Sequence, residues 1–223
     1  MQNTVWITKR KKYEFEGPTA VLGSSGLRSI GKLVVDDLIE KTKAELIADL
    51  YSTHLPSVYQ TKPSYAADPA SPGEGGALIE SGYPDLPKVQ FYGSEPSLVL
   101  VRGYHPNFTG QYEVAEKVVD FLDELRVKRL IVVAGFGSKE EKIVCAATTK
   151  DLITEMKEKY QIDIGYKGPF YGFSGLVFGL SKLKSIDSVA LFSSTQPKEG
   201  DLEAPDNDSS KRTVEKLRQI LKL

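Results

Sequence analysis

Cysteine and histidine are scarce in this sequence. Its 223 residues include one cysteine, Cys145, and two histidines, His54 and His105. A lone cysteine excludes an internal disulfide, and so few cysteines and histidines supply no zinc-binding pattern. We therefore expect a protein of a reducing compartment, the cytoplasm, without metal or cofactor; a hard-metal site would have to be built from carboxylates. Cys145 lies in the apolar stretch 143–147, which favours a small buried side chain over a reactive thiol.

Excess charge of one sign and long apolar runs are also missing. Lysine and arginine number 29 against 30 aspartates and glutamates, so the chain has no basic surface on which to wrap nucleic acid. No apolar run reaches the roughly 18 residues that span a bilayer, and the first residues lack a basic-then-apolar signal pattern. The basic run 9–12 predicts a solvated edge strand or turn, with charge protecting the edge. Neither nucleic acid nor a membrane is an expected partner.

What is present is a repeated alternation between short apolar runs and helical stripes. Strands that are apolar along their whole length are buried on both faces, which places helices on both sides of a largely parallel sheet. The prediction is an α/β fold in three αβα layers with a mostly parallel sheet. The predicted strands are 19–23, 45–51, 98–102, 129–134, 161–165 and 188–192, and the predicted helices are 30–43, 110–126, 149–160, 173–184 and about 209–221.

One segment interrupts this alternation, at about residues 55–96, where seven of the twelve prolines lie. Proline removes donors that a strand ladder needs, so regular central strands are not expected through most of it. We predict one domain over residues 1–223 with this segment as an excursion. It is interpreted either as a surface loop with a short hairpin around 77–92, or as an active-site lid or partner-binding arm. We expect limited proteolysis to cleave the native protein first at 62–76.

Three glycine-containing connections adjoin core elements, at 23–26, 135–138 and 168–175. In an open α/β sheet, ligands bind beyond the carboxyl ends of strands, where free amides at helix N-termini attract anions. The first loop is neither a dinucleotide fingerprint nor a P-loop, and the simpler interpretation is a tight turn with a serine N-cap. The candidate ligand or anion site consists of Gly23, Ser24, Ser25, Gly26, Gly135 and Gly137.

No coherent catalytic set can be assembled from these residues. Ser24 and Ser25 lack the strand-turn-helix serine motif of hydrolases, and we interpret His54 and His105 as surface or turn residues. A second group is aromatic: Phe170, Tyr171 and Phe173 follow a glycine-proline pair. They predict either a filled core or the apolar centre of a subunit interface.

Several segments together resemble one family. They are PTAVLGSSGL at 18–27, the helix 30–43, FYGSEPSLVLV at 91–101, the strand 129–134 running into Gly135-Phe136-Gly137, GFSGLV at 172–177 and the late strand 188–192. They are similar to the PAC2 family, which contains proteasome assembly chaperones, and the short chain resembles its archaeal-type members.

This resemblance implies a fold like that of purine nucleoside phosphorylases, self-association into oligomers, and binding of proteasome α-subunits without catalysis. The alternative is a phosphorylase-like enzyme in which the loop VLGSSGL at 21–27 holds phosphate. Some archaeal proteasome partners end in a hydrophobic-Tyr-X tail; here Lys222 stands at the tyrosine position, so docking through such a tail is not expected.

Overall fold

The computed structural model describes residues 4–55, 77–94, 96–196 and 204–223. The expected cleavage at 62–76 and most of the proline-rich excursion lie outside the described residues. In chain order the strands are β1 (Val5–Lys9), β2 (Thr19–Gly23), β3 (Glu45–Ser52), β4 (Leu78–Glu80), β5 (Tyr83–Asp85), β6 (Val89–Ser94), β7 (Leu98–Arg102), β8 (Arg129–Gly137), β9 (Ile143–Ala147), β10 (Asp163–Ile164) and β11 (Asp187–Thr195). The helices are α1 (Ile30–Thr42), α2 (Gln111–Glu124), α3 (Lys150–Tyr160), α4 (Gly172–Leu183) and α5 (Asn207–Leu221).

Nine of these strands form one sheet in the order β1-β3-β6-β7-β2-β8-β11-β9-β10. Strands β7, β2, β8 and β11 run parallel at its centre. The pairs that join β1, β3, β6 and β7 are antiparallel, as is the pair of β11 with β9. The sheet is thus parallel at its centre and mixed at its flanks.

Helices cover both faces of the sheet, as the apolar strands predicted. In β2, Leu22 packs into the core beneath α2 and α4, whereas its neighbour Val21 packs into the core beneath α1, α3 and α5. Strand β8 alternates in the same way, with Val132 on the first side and Val133 on the second. The α/β class and the three layers are confirmed. In the described residues no helix is long and apolar enough to cross a membrane.

The proline-rich excursion is shorter than predicted. Its last part, Val89–Ser94, is β6, a full member of the main sheet between β3 and β7. The expected short hairpin is present as β4 and β5, a separate two-stranded sheet. Ser81 and Gly82 connect its strands with positive φ angles of 51° and 84°, the combination that a two-residue type I′ turn requires.

Besides β6, two strands of the main sheet were not predicted, β1 and β9. Strand β1 is an edge strand next to β3, and the basic residues that follow it fit the predicted solvated edge. Arg10 there forms an ion pair of 2.6 Å with the buried Asp49. Strand β9 contains Cys145, whose thiol is buried as expected; burial, reinforced by the charge of Asp163, raises its pKa to about 11.

Candidate ligand pocket and its surroundings

The three glycine-containing loops meet at the carboxyl ends of the central strands. Together they line a pocket of about 640 Å³. Of the predicted site residues, the structure brings Ser24, Gly26, Gly135 and Gly137 to this pocket. The first and third loops are joined directly, since the hydroxyls of Ser24 and Ser174 lie 2.8 Å apart in a hydrogen bond.

Gly23 and Ser25, the other two predicted residues, do not line the pocket. Gly23 is a packing residue: a Cβ built on it would lie 2.0 Å from the backbone oxygen of Gly31 in α1. The lack of a side chain at Gly23 therefore lets α1 pack closely against β2. Ser25 is buried beside the pocket.

Carbonyl groups of the first loop are paired with amides of the loop itself and of the neighbouring segments. The carbonyl oxygen of Ser24 accepts hydrogen bonds from the amides of Gly26 (2.7 Å) and Lys32 (3.0 Å). The residue that precedes α1 is Ser29, whose side chain makes no capping hydrogen bond, so a capping role for Ser24 or Ser25 is wrong. Among the described residues that line the pocket, none carries a charge, and a bound phosphate would find no cation there.

His105 is the functional candidate that sequence reasoning missed. It lines the same pocket and is only 7% exposed, so the interpretation as a surface residue is wrong. Within the described part of the chain, neither ring nitrogen has a hydrogen-bond partner of normal geometry. Burial lowers the pKa of His105 to about 4, and the nearby backbone of Ser25 offsets only part of that shift. The ring is therefore neutral at pH 7. The turn residue His54 instead contacts Glu113 at 3.0 Å.

Stability should fall on acidification because of His105. In the unfolded chain its pKa returns to about 6.5, so between pH 6.5 and 4 the unfolded state binds a proton that the folded state does not. We expect this group to remove about 3 kcal/mol of unfolding free energy between pH 7 and pH 4. Urea unfolding of wild type and His105→Leu at both pH values measures it. Equal pH dependence in the two proteins would show that the buried ring does not titrate as described.

The aromatic cluster divides between core and surface. Phe173, in the first turn of α4, is fully buried. Phe170 is half-buried against Phe192, with ring centroids 4.9 Å apart. Tyr171, between them, is 79% exposed at the edge of the pocket. Phe173 is thus a core residue, and the predicted subunit interface depends on Phe170 and Tyr171.

A second buried side chain, Arg28, ties the first loop to α5. Arg28 and Ser29 both have left-handed backbones, with φ angles of 49° and 55°, a costly conformation outside glycine. The Arg28 guanidinium donates to the Ala204 carbonyl oxygen at 2.7 Å and pairs with Asp206 at 3.3 Å. These contacts hold the strained turn beside the pocket.

The described residues contain no group of three or more histidine, cysteine, aspartate or glutamate side chains that could hold a metal ion. The pocket therefore offers hydroxyls, one neutral imidazole and apolar walls. Such a set can bind and orient a ligand.

Comparison with known proteins identifies relatives of this fold. The PAC2 family model matches residues 20–223. The crystal structure of Pyrococcus furiosus PbaB, described as an archaeal proteasome activator, superposes with a TM-score of 0.79 at 24% identity, covering 99% of this chain and 90% of that one. P. furiosus PbaA, described as an archaeal homolog of proteasome-assembly chaperone, gives 0.74 at 20% identity, covering 98% and 86%.

A curated sequence is similar over much of the chain as well. The uncharacterized protein MJ1210 of Methanocaldococcus jannaschii is 24% identical over 202 residues, covering 85% of this chain and 70% of that protein. The family match spans nearly all of the present sequence, including the strands and loops that build the pocket. The chain belongs to the PAC2 family.

Proposed function

We propose that this protein is a non-enzymatic, oligomeric proteasome assembly chaperone or adaptor that binds proteasome α-subunits in the cytoplasm. The observation that carries the proposal is the family match over residues 20–223. The fold shared with PbaB and PbaA, whose descriptions name proteasome activation and assembly, supports it.

The exposed surface supports a binding role and points to one element. Hairpin β4–β5 forms a sheet separate from the main one and carries the exposed side chains of Ile79 and Tyr83, with exposed Leu86 directly after it. A two-stranded sheet is marginally stable alone, and large exposed apolar side chains mark interaction sites when they cluster. We assign the hairpin to the contact with the α-subunit.

Self-association is assigned to a different surface. Three large exposed side chains define this surface. Phe108 and Tyr171 line the pocket at the carboxyl ends of the strands, and Tyr112 lies in the first turn of α2. A closed oligomer would bury them against a second copy, in an interface above about 1,000 Å² if it is stable.

Size-exclusion chromatography of the protein mixed with purified proteasome α-subunits tests the binding role. We expect co-elution, and we expect Ile79→Ser to weaken it, because the substitution removes apolar contact area from the hairpin without disturbing the core. The matched control is Ile164→Ser: Ile164 is 61% exposed in the short strand β10, against 64% for Ile79.

The control should co-elute as the wild type does. Separate elution of wild-type protein and α-subunits would contradict the proposed function. If Ile79→Ser and Ile164→Ser weaken co-elution equally, the assignment of the hairpin as the contact is wrong. The proposal that the protein binds α-subunits would still stand.

A further inference from the structure

One face of the antiparallel flank formed by β1, β3 and β6 is only partly covered in the described part of the chain. Burial alternates along β6: Val89 and Phe91 are fully buried on the side of α2, whereas Gln90 and Tyr92 on the other side are partly exposed. The helices of that other side are centred further along the sheet, with α1 on β7, β2 and β8 and α5 on β11. This side of the flank is therefore open to a partner.

Aromatic and arginine side chains occupy this face. Trp6 of β1 is 40% exposed and stacks on its strand partner Tyr51, with ring centroids 6.0 Å apart. Arg102 of β7 contacts Tyr92, with Nη1 3.1 Å from the ring hydroxyl. Together with Arg10, these four residues form the open sheet face. An antiparallel sheet that leaves one face to water normally has polar residues there, whereas tryptophan, tyrosine and arginine are enriched at the centres of protein interfaces.

The open sheet face presents positive charge at Arg10. The carboxylate of Asp49 lies 2.7 Å from Nε and 2.6 Å from Nη2 of that guanidinium. The Asp49 side chain is fully buried, whereas half of the Arg10 side chain is exposed. The neighbouring pair of Arg102 with Asp36 is about equally exposed on both members and adds no net charge. A partner that covers this face therefore meets the Arg10 cation and not its anion, and a guanidinium favours carboxylate partners.

The open sheet face adjoins the hairpin that we assign to the α-subunit contact. Lys88, directly before β6, forms an ion pair with Asp85 of β5. The first residue of β6 is paired with Leu50, so the hairpin is attached at the end of the flank that carries Trp6 and Tyr51. One partner can therefore contact the hairpin and the open sheet face together.

We propose that the open sheet face is the second part of the α-subunit contact and receives an acidic segment of the α-subunit. A carboxylate of that segment pairs with Arg10, and an apolar side chain beside it covers Trp6 and Tyr51. The same face of a second copy is a poorer occupant, because it would bring two Arg10 cations together and like charges repel. The inference rests on the proposed α-subunit binding and adds the place and the chemistry of the contact.

The tryptophan on this face supplies a direct probe. The chain contains one tryptophan, so incorporation of fluorotryptophan gives one fluorine NMR signal, at Trp6. In the free protein we expect this signal to shift between ordinary and heavy water, because the ring is partly exposed. Addition of unlabelled α-subunits should move or broaden the signal and abolish the solvent shift. Tryptophans of the α-subunit carry no fluorine and do not interfere.

Substitutions separate the aromatic from the ionic contact, with affinity measured by calorimetry. Trp6→Ala should weaken α-subunit binding at least about tenfold, as truncation of an interface hot spot does. Its control is Leu183→Ala, which removes a 76% exposed side chain at the end of α4, in the opposite helical layer, and should leave the affinity unchanged.

Arg10→Gln alone would leave the buried Asp49 carboxylate unpaired and destabilise the fold. It is therefore combined with Asp49→Asn, which removes both charges. We expect this double variant to keep the wild-type circular dichroism spectrum, to bind the α-subunit about fivefold more weakly, and to show a smaller salt dependence of binding. Wild-type affinity and salt dependence in the folded double variant would overturn the acidic chemistry of the proposal.

Three outcomes of the fluorine experiment would also overturn the proposal. If α-subunits co-elute but leave the Trp6 signal and its solvent shift unchanged, the open sheet face is not the contact, while the proposed function stands. If the free protein shows no solvent shift, another part of this chain covers the face. If the signal moves when this protein alone is concentrated, a second copy is the occupant. Failure of α-subunits to co-elute at all would instead contradict the proposed function.

Discussion

Replacing Phe173 with alanine is expected to lower the free energy of unfolding by about 3 to 5 kcal/mol, the usual cost of removing a buried phenylalanine ring. The ring is fully buried in the core shared by the sheet, α2 and α4. It also lies against Gly103, where an added Cβ would be 2.9 Å from the ring. Urea unfolding followed by circular dichroism measures the change.

Tyr171→Ala is the matched control, two residues before Phe173 at the start of α4. Because its ring is 79% exposed, we expect the unfolding free energy to change by less than about 0.5 kcal/mol. If the proposed self-association is correct, light scattering should instead show a shift toward the monomer with helical content unchanged. Equal destabilisation by both substitutions would contradict the division of this cluster into core and surface.

Replacing Gly23 with alanine should cost about 3 kcal/mol of unfolding free energy or more, because the clash is with backbone. The new Cβ would lie 2.0 Å from the Gly31 carbonyl oxygen and 2.4 Å from its carbonyl carbon. Neither atom can turn aside as a side chain would, so α1 must move away from β2. Urea unfolding of the wild type and Gly23→Ala measures the difference in unfolding free energy.

Gly137→Ala provides the comparison. Gly137 is also one of the predicted site glycines, but an added Cβ there meets no atom within 4 Å, and we expect a change within about 0.5 kcal/mol. A tolerated Gly23→Ala substitution would mean that the contact between β2 and α1 is looser than the structure shows.

The strands that the sequence predicted best are those buried on both faces. Strand β8 is a continuous apolar run bounded by charged and glycine residues, and its position follows from that pattern alone. Strand β1 is half exposed at an edge, and β9 ends in two alanines, which have little preference for strands, so neither has a pattern that separates it from a loop. Strand β6 was not predicted because the segment around it is rich in proline, although Pro87 and Pro96 themselves lie outside the strand.

The pocket was predicted in part, because carboxyl ends of parallel strands must share one edge. Glycine spacing located the loops, yet it could not separate Gly23, which accommodates a helix, from Gly135 and Gly137, which line the cavity. His105 stands in the segment Gly103-Tyr104-His105-Pro106-Asn107 and therefore has the local pattern of a turn residue. Its burial arises only when loops distant in sequence converge, and no local pattern carries that information.

The most direct measurement of the central claim is a calorimetric titration of purified proteasome α-subunits into this protein at micromolar concentration. The account predicts a saturable, stoichiometric heat that Ile79→Ser reduces and Ile164→Ser preserves. The absence of heat above dilution with the wild-type protein, when both components are folded, would contradict it.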